Sequence, residues 1–379
     1  MDLPQEYRAL HERAARLARS FHAEAAAADE LDRPHEGMRA ALADSGLSAL
    51  VVPAAYGGTH ERVDPLAVTV VREALMSVSA HLDSLFCMQG IGSFALATAG
   101  DETLRRHWLP RVARMESLAA LALTEDEAGS DLRAVATTVT ADGDELVVRG
   151  GKSWISNGGW ADFYCVLCRE GDGYSMVLVP ADAPGLHVTP TPTIMAPHLL
   201  GDLVFDDVRV PASHRLGAPG KGFSLVFATL GTFRVTVAGA AVGLAQAALD
   251  AAVDHARKRR QFGRPLAEIG AVGQLLARSW AELEAARTFT YHAASRAAAD
   301  PRGALDVSSM AKVVATETAA RVVDRCVQVA GRAGLVRDSV LERCYRAARP
   351  MRVYEGASEV VLDALARRLT RDPAEGGAP

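Results

Sequence analysis

Four short segments carry residue types whose spacing could do chemistry. In Leu121-Ala-Leu-Thr-Glu-Asp-Glu-Ala-Gly-Ser-Asp131, hydroxyls stand beside small residues at Thr124 and at Ala128-Gly129-Ser130. Such neighbours let backbone and side-chain donors approach a polar heterocycle closely. In Gly151-Lys-Ser-Trp-Ile-Ser-Asn-Gly158, Trp154 and Ser156 lie two residues apart. On a strand they share one face, so stacking and hydrogen bonding can act on one flat ligand. Arg259-Arg-Gln-Phe-Gly-Arg-Pro-Leu266 sets Arg259 near Gln261, a pairing suited to a pyrophosphate. The fourth segment is Val353-Tyr-Glu-Gly-Ala-Ser-Glu359. Each has a plainer reading when taken alone. Glu355 reads as an exposed loop carboxylate, Trp154 as a packing aromatic, and Thr124 and Ser130 as turn or cap residues. Arg259 lies in the charged run Arg257-Lys-Arg-Arg260, ordinarily a solvated helix end. The joint occurrence of the four carries the functional weight.

Other motifs fail on context. Gly151-Lys152-Ser153 resembles the end of a phosphate-binding loop, but the upstream glycine would fall at Leu146 and β-rich sequence follows. Ser309-Met310-Ala311-Lys312 fits an S-x-x-K nucleophile pattern without its companion elements, so it reads as ordinary helix surface with a partly buried serine. Cys165 and Cys168 have metal-like spacing, yet on a strand their sulfurs point to opposite faces, as packing thiols do. No HExxH, G-x-S-x-G or G-x-G-x-x-G occurs, and no metal site is expected.

The elements that must position these segments change texture twice. Residues 1 to 120 alternate helical patterns with turns at Tyr56-Gly57-Gly58 and Ala99-Gly100-Asp101. From 121 to 217 the period becomes two. Thr138-Val139-Thr140 and Leu146-Val147-Val148 flank Asp142-Gly143, a hairpin signal, and two apolar runs flank Gly171-Asp172-Gly173. Leu203 to Val210 forms another β run. From 218 to 379, long Ala/Leu/Arg segments return, broken near Gly263-Arg264-Pro265, Asp300-Pro301 and Gly331 to Gly334, with a low-complexity tail from Arg371. A helix starting near Gly231 is apolar on most sides and belongs inside a bundle. Segregated strands and helices exclude a doubly wound α/β sheet.

Composition sets the class. The chain has 379 residues, 49% hydrophobic and 23% charged, which at roughly 100–200 residues per domain makes two or three domains with a large core. With 41 Lys+Arg against 46 Asp+Glu, the formal charge of −5 gives no general attraction to nucleic acid or an anionic membrane. Arginine and alanine dominate as GC-rich coding would dictate, pointing to a bacterial source. The apolar stretch Val235 to Val253 is interrupted by Gln246 and Asp250, so a buried helix is expected instead of a membrane span. Five scattered cysteines and an N-terminus without an apolar core point to the cytoplasm.

In order and spacing, the four segments resemble the acyl-CoA dehydrogenase family of flavoproteins, and the resemblance runs through nearly the whole chain. It implies a mostly α fold with a central β domain: an N-terminal helical domain, a middle antiparallel β-barrel-like domain and a C-terminal four-helix bundle. It implies FAD between the β domain and the bundle, shared across a dimer within a homotetramer. By position, Leu121, Leu123 and Thr124 would line the isoalloxazine, with Trp154 and Ser156 near N5 and Ser130 touching FAD and substrate. Arg259, Gln261, Phe262, Gln328 and Arg332 would reach FAD across the dimer, and Ala357 and Glu359 would lie beside it. Arg234, Tyr354 and Gly356 would border the substrate, and Glu355 matches the catalytic base. The implied reaction removes an α-proton from an acyl thioester while a hydride leaves Cβ for the flavin. Burial should raise the pKa of Glu355 toward neutrality, and the enolate oxygen would take preorganised hydrogen bonds.

The chain also departs from the family pattern. Ala357 stands where Thr is common, Gly270 where a Gln often reaches the cofactor, Ala347 where Asp is usual, and Ala330 at the first Gly of a pair. Each missing hydrogen bond is worth about 0.5–1.5 kcal/mol, so weaker FAD binding is expected. The acyl group could ride on CoA or on an acyl carrier protein, with an electron-transferring flavoprotein as the usual acceptor. A monooxygenase on the same scaffold has no need of Glu355, and a catalytically idle binding subunit would purify colourless.

Overall fold

The computed structural model describes residues 3–301 and 303–370; the tail from Arg371 lies outside them. Six helices open the chain: α1 (Gln5–Ser20), α2 (Ala25–Ala28), α3 (Glu36–Asp44), α4 (Pro65–Met76), α5 (Ala80–Ala99) and α6 (Glu102–Ala113). The two that build the site start on side-chain caps. Asp64 accepts from the Leu66 amide at 2.8 Å with Pro65 in the first helical position, and Ser79 accepts from the Leu82 amide at 3.2 Å. Every residue of α4 is buried, Arg72 and Glu73 included.

Eight strands follow: β1 (Ala119–Ala122), β2 (Thr138–Asp142), β3 (Glu145–Ser156), β4 (Phe163–Glu170), β5 (Gly173–Pro180), β6 (Leu186–Pro190), β7 (Leu200–Pro211) and β8 (Arg215–Leu216). They form one sheet in the order β6-β7-β3-β2-β4-β5-β8, with β1 against β4. The Asp142-Gly143 hairpin forms as its sequence dictates, Asp142 pairing with Glu145 and Gly143 at φ 65°. The sheet is mixed where an antiparallel one was expected: β1 and β2 each meet β4 in parallel, since long connections separate them in sequence. Strand β4 is buried on both faces. Phe163, Cys165 and Leu167 pack with the N-terminal helices, while Tyr164, Val166 and Cys168 fill the β-domain interior. The two cysteines therefore do face opposite ways.

The remaining helices are α7 (Gly222–Lys258), α8 (Gly270–Ala299), α9 (Leu305–Ala330), α10 (Val340–Ala348) and α11 (Ser358–Leu369), with a small hairpin of β9 (Arg260–Gln261) and β10 (Arg264–Pro265) between the first two. Helix α7 starts at Gly222, one long stretch before Gly231. Gly231 marks a close approach, not a helix start: a Cβ there would lie 2.9 Å from the Pro301 carbonyl oxygen. Helix α7 has the length and composition of a membrane span, but 78% of its most apolar window is buried inside the protein. Helix α4 joins it through Gly239 and Gly243, where added Cβ atoms would meet the Thr69 and Glu73 carbonyl oxygens at 2.5 and 1.9 Å. That close crossing ties the N-terminal helices to the bundle and sets where Arg72 points.

Candidate active site

Glu355 and Gly356 occupy the turn between the short 3-10 segment Pro350–Arg352 and α11. Both are left-handed, at φ 52° and 97°. For a residue with a Cβ this conformation costs about 1–3 kcal/mol and persists only where its surroundings over-determine it. Here two cations hold the two carbonyls. Arg234 Nε on α7 donates to the Glu355 oxygen at 3.1 Å, and Lys312 Nζ on α9 donates to the Gly356 oxygen at 2.7 Å. Arg234 is fixed in turn by donating through Nη1 to Ser309 Oγ at 3.0 Å. A Cβ at 356 would sit 3.0 Å from Val361 Cγ2 and 3.3 Å from Arg234 Nη2, so either neighbour would have to give by a few tenths of an ångström.

This clamp corrects the reading of Ser309 and Lys312 as ordinary helix surface. Both are buried, Lys312 completely. Burial lowers the Lys312 pKa to about 8, opposed mainly by the Glu355 charge. The arginine-rich composition reads as coding bias and did not mark Lys312, and its burial was not legible in the sequence.

The Glu355 carboxyl is poised differently from a surface carboxylate. Its Oε2 is buried without a hydrogen-bond partner, and among the described residues its amide donates to no protein acceptor. Burial raises its pKa; Arg72, Arg234 and Lys312 oppose that rise, and Asp83 adds to it. Arg234 also bonds the same residue's backbone, whereas Arg72 acts on the carboxyl through its charge. Arg72 pairs with Asp83 of α5, Nη2 to Oδ2 at 2.7 Å and Nε to Oδ1 at 3.0 Å, and donates through Nη1 to Thr236 Oγ1 at 2.9 Å. Tyr354 is 39% exposed as a residue. Its phenol is nonetheless enclosed enough that burial raises its pKa, with Arg72 opposing and Asp83, Cys87 and Glu355 adding.

The β domain supplies a second wall. Lys152 is buried, donating to Glu125 Oε1 at 2.7 Å and to the Leu123 oxygen at 3.0 Å, while the Ser153 amide donates to the Thr124 oxygen at 2.9 Å. These bonds lock the strand-exit segment 121–125 against β3. A register shift between Lys152 and Ile155 interrupts the simple alternation expected there. Trp154 takes a left-handed conformation, φ 59°, with its amide held by Asp202 Oδ1 at 2.8 Å, and it is 46% exposed. Ser156 Oγ lies 2.8 Å from His198 Nε2, whose Nδ1 is 3.4 Å from Ser84 Oγ on α5. Burial lowers the His198 pKa to about 4, leaving a neutral ring. No sequence pattern marked His198, which lies in an irregular loop. Leu121, Leu123, Thr124 and Ser156 are partly exposed and Ser130 is exposed, so this wall offers an indole face, hydroxyls and apolar edges to a flat heterocycle.

A third group stands apart. Arg259, Gln261 and Phe262 are exposed, Phe262 at 90% and in a left-handed turn, on a hairpin that no described hydrogen bond or ion pair links to the β domain. Gln328, Arg332 and Glu359 are also exposed, with Ala357 half-buried at the start of α11. Among the described residues no hydrogen bond or ion pair joins this group to Trp154 or Ser156.

Comparison with known proteins agrees with this geometry. Models of the acyl-CoA dehydrogenase N-terminal, middle and C-terminal domains match residues 4–116, 120–208 and 220–370. The chain is 34% identical to the probable acyl-CoA dehydrogenase FadE25 of Mycobacterium tuberculosis, covering 97% of this chain and 96% of that one. It is 33% identical to cyclohexane-1-carbonyl-CoA dehydrogenase of Geobacter metallireducens, over 98% and 99% of the two chains. Its fold superposes on butyryl-CoA dehydrogenase from Megasphaera elsdenii with a TM-score of 0.92 at 28% identity, covering 98% of this chain and 100% of the other. With three ordered domain matches and relatives alike from end to end, the chain belongs to the acyl-CoA dehydrogenase family.

Proposed function

We propose that this protein is an FAD-dependent dehydrogenase of acyl thioesters, with Glu355 as the base. The observation that carries the reading is the Glu355 carboxyl itself: buried, unpartnered at Oε2, raised in pKa, and mounted on a left-handed turn clamped from two helices. A free carboxylate is too weak to take an α-proton; one desolvated beside an acyl chain is stronger, and bringing its pKa nearer the operating pH is what a general base requires. The unengaged Glu355 amide would donate to the thioester oxygen as negative charge develops there, which acidifies the α-carbon. Glu355 takes the α-proton, the Cα–Cβ double bond forms, and the product is the 2,3-unsaturated thioester. FAD, bound when the enzyme is loaded, supplies the two-electron acceptor for the Cβ hydride.

Trp154, Ser156, Thr124, Leu121 and Leu123 would hold the ring, and Ser130 would touch both ring and substrate. The exposed hairpin with Arg259, Gln261 and Phe262, together with Gln328, Arg332, Ala357 and Glu359, would serve the FAD of a neighbouring subunit in a homotetramer. The thioester would be carried by CoA or an acyl carrier protein in the cytoplasm, with an electron-transferring flavoprotein as acceptor. The test is anaerobic titration of the purified protein with acyl-CoA and acyl-carrier-protein thioesters, reading flavin absorbance. Wild type should bleach. Glu355→Gln should bind ligand yet bleach at least about 100-fold more slowly, the lower end of a general base's contribution. Normal bleaching by that variant would place the base elsewhere.

A further inference from the structure

A charged pair is buried where α4, α5 and α7 meet. Arg72, Asp83 and Thr236 are 3%, 3% and 0% exposed, on α4, α5 and α7. A guanidinium has five N–H donors. Three are engaged here, two by Asp83 and one by Thr236, which leaves one N–H on Nη1 and one on Nη2 without a protein acceptor among the described residues. Among the described residues Asp83 accepts side-chain hydrogen bonds from Arg72 alone, so its two oxygens retain lone pairs. The neighbouring buried charge on α4 is a useful contrast. Glu73 turns into the bundle and spends both oxygens, one on Arg287 at 3.0 Å and the other on the Tyr291 hydroxyl. Arg72 instead bonds Thr236 of α7, two residues beyond the Arg234 that holds the Glu355 carbonyl.

A buried ion pair is poor stabilisation, since well-packed apolar residues of like volume serve the fold as well or better. One with unspent donors and acceptors, tied to the same stretch of α7 that holds the base, is suited to a ligand. Resting on the dehydrogenase reading above, we propose that the Arg72–Asp83 pair recognises a neutral hydroxyl on the substrate's acyl chain, Arg72 donating to its oxygen and Asp83 accepting its proton. A hydroxyl is the group that both gives and takes a hydrogen bond, matching the two unspent functions of the pair. A carboxylate is disfavoured because Asp83 already neutralises Arg72 and Glu355 adds a second acidic group beside it. An ammonium is disfavoured by Arg72, Arg234 and Lys312 together. Phe233, one turn before Thr236, supplies the apolar side by packing edge-on against Phe94 of α5 with ring centroids 5.6 Å apart.

The test compares 3-hydroxypropionyl, 4-hydroxybutyryl and 5-hydroxypentanoyl thioesters with their alkyl isosteres butyryl, pentanoyl and hexanoyl, and with glutaryl, each as CoA and carrier-protein forms. Flavin reduction should favour at least one hydroxyacyl chain over its isostere by tenfold or more in kcat/KM, because a site built around a hydroxyl leaves its own polar groups unpaired with the analogue. Unreactive hydroxyalkyl and alkyl thioethers of CoA should show the same order in Kd. The paired variant Arg72→Met/Asp83→Leu, which leaves no lone buried charge, should lose or invert the preference, read as the ratio of hydroxyacyl to alkyl kcat/KM and as the same ratio of thioether Kd values. Alkyl thioesters equal to or better than every hydroxyacyl partner in wild type would overturn this proposal alone. Absence of bleaching by all the thioesters would overturn the dehydrogenase reading and this proposal with it.

Discussion

Replacing Lys312 with Met removes one of the two clamps on the Glu355–Gly356 turn without touching a ligand. The lost bond, Nζ to the Gly356 oxygen at 2.7 Å, is charge-assisted and worth about 1.5–3 kcal/mol. Because that bond opposes the strain of a left-handed pair, its loss should fall on the placement of the base. At about 1.4 kcal/mol per decade of rate, flavin reduction should slow roughly 10–100-fold at neutral pH. The lowered Lys312 pKa of about 8 adds a second expectation. Below pH 8 the ammonium is charged and the clamp is strong; above it the neutral amine keeps a hydrogen bond of about 0.5–1.5 kcal/mol. The wild-type rate should therefore decline above pH 8, and the ratio of wild type to Lys312→Met should contract several-fold between pH 6.5 and 9.5. The acid limb belongs to Glu355, active when deprotonated. Since Lys312 opposes the rise in the Glu355 pKa, removing it should move that limb to higher pH. Stopped-flow reduction under anaerobic conditions, measured across this range, checks all three. A ratio that stays constant with pH would refute the clamp as a charged device, whatever its size.

Two further outcomes follow from the same structure. Gly356→Ala forces a Cβ onto a residue at φ 97° and into contact with Val361 and Arg234, so urea denaturation should show a loss of about 1–3 kcal/mol together with impaired flavin reduction; an unchanged midpoint would mean the turn relaxes freely. His81 and His198, both lowered by burial to about 4 from an ordinary 6.5, stay neutral in the fold. The unfolded chain binds their protons first, so stability is complete above pH 6.5 and falls between 6.5 and 4 by up to roughly 3 kcal/mol for each. Urea midpoints at pH 7, 5.5 and 4.5 should show this decline, and His81→Asn/His198→Asn should flatten it.

Much of the architecture was legible because periodicity reports burial. The Asp142-Gly143 and Gly171-Asp172-Gly173 turns, with apolar runs on either side, dictated β2–β3 and β4–β5 directly. Gly231 misled because a glycine that admits a neighbouring carbonyl looks, in one dimension, like a glycine that ends a helix. The parallel contacts of β4 were hidden because nothing local records which distant strand fills an edge. Site residues divide the same way. Glu355 and Trp154 stood out by type and company. Arg72, Asp83 and Lys312 did not, because a charged residue reads as surface until the packing of α4, α5, α7 and α9 removes the solvent around it.

Seven non-glycine residues among those described are left-handed, and Trp154, Phe262 and Glu355 are three of them. All three lie in segments singled out by residue type, and two are followed by a left-handed glycine, Gly263 and Gly356. A side chain that must leave its element to face a ligand cannot follow the regular path of a strand or helix, so the backbone turns under it and something else must hold the turn. For Trp154 the holder is Asp202 on β7; for Glu355 it is Arg234 and Lys312 on two helices of the bundle. Preorganisation of the base is thus a property of α7 and α9 as much as of the loop that carries it. Substitutions that shift either helix should therefore lower the rate of proton removal even when residues 353–359 are unchanged.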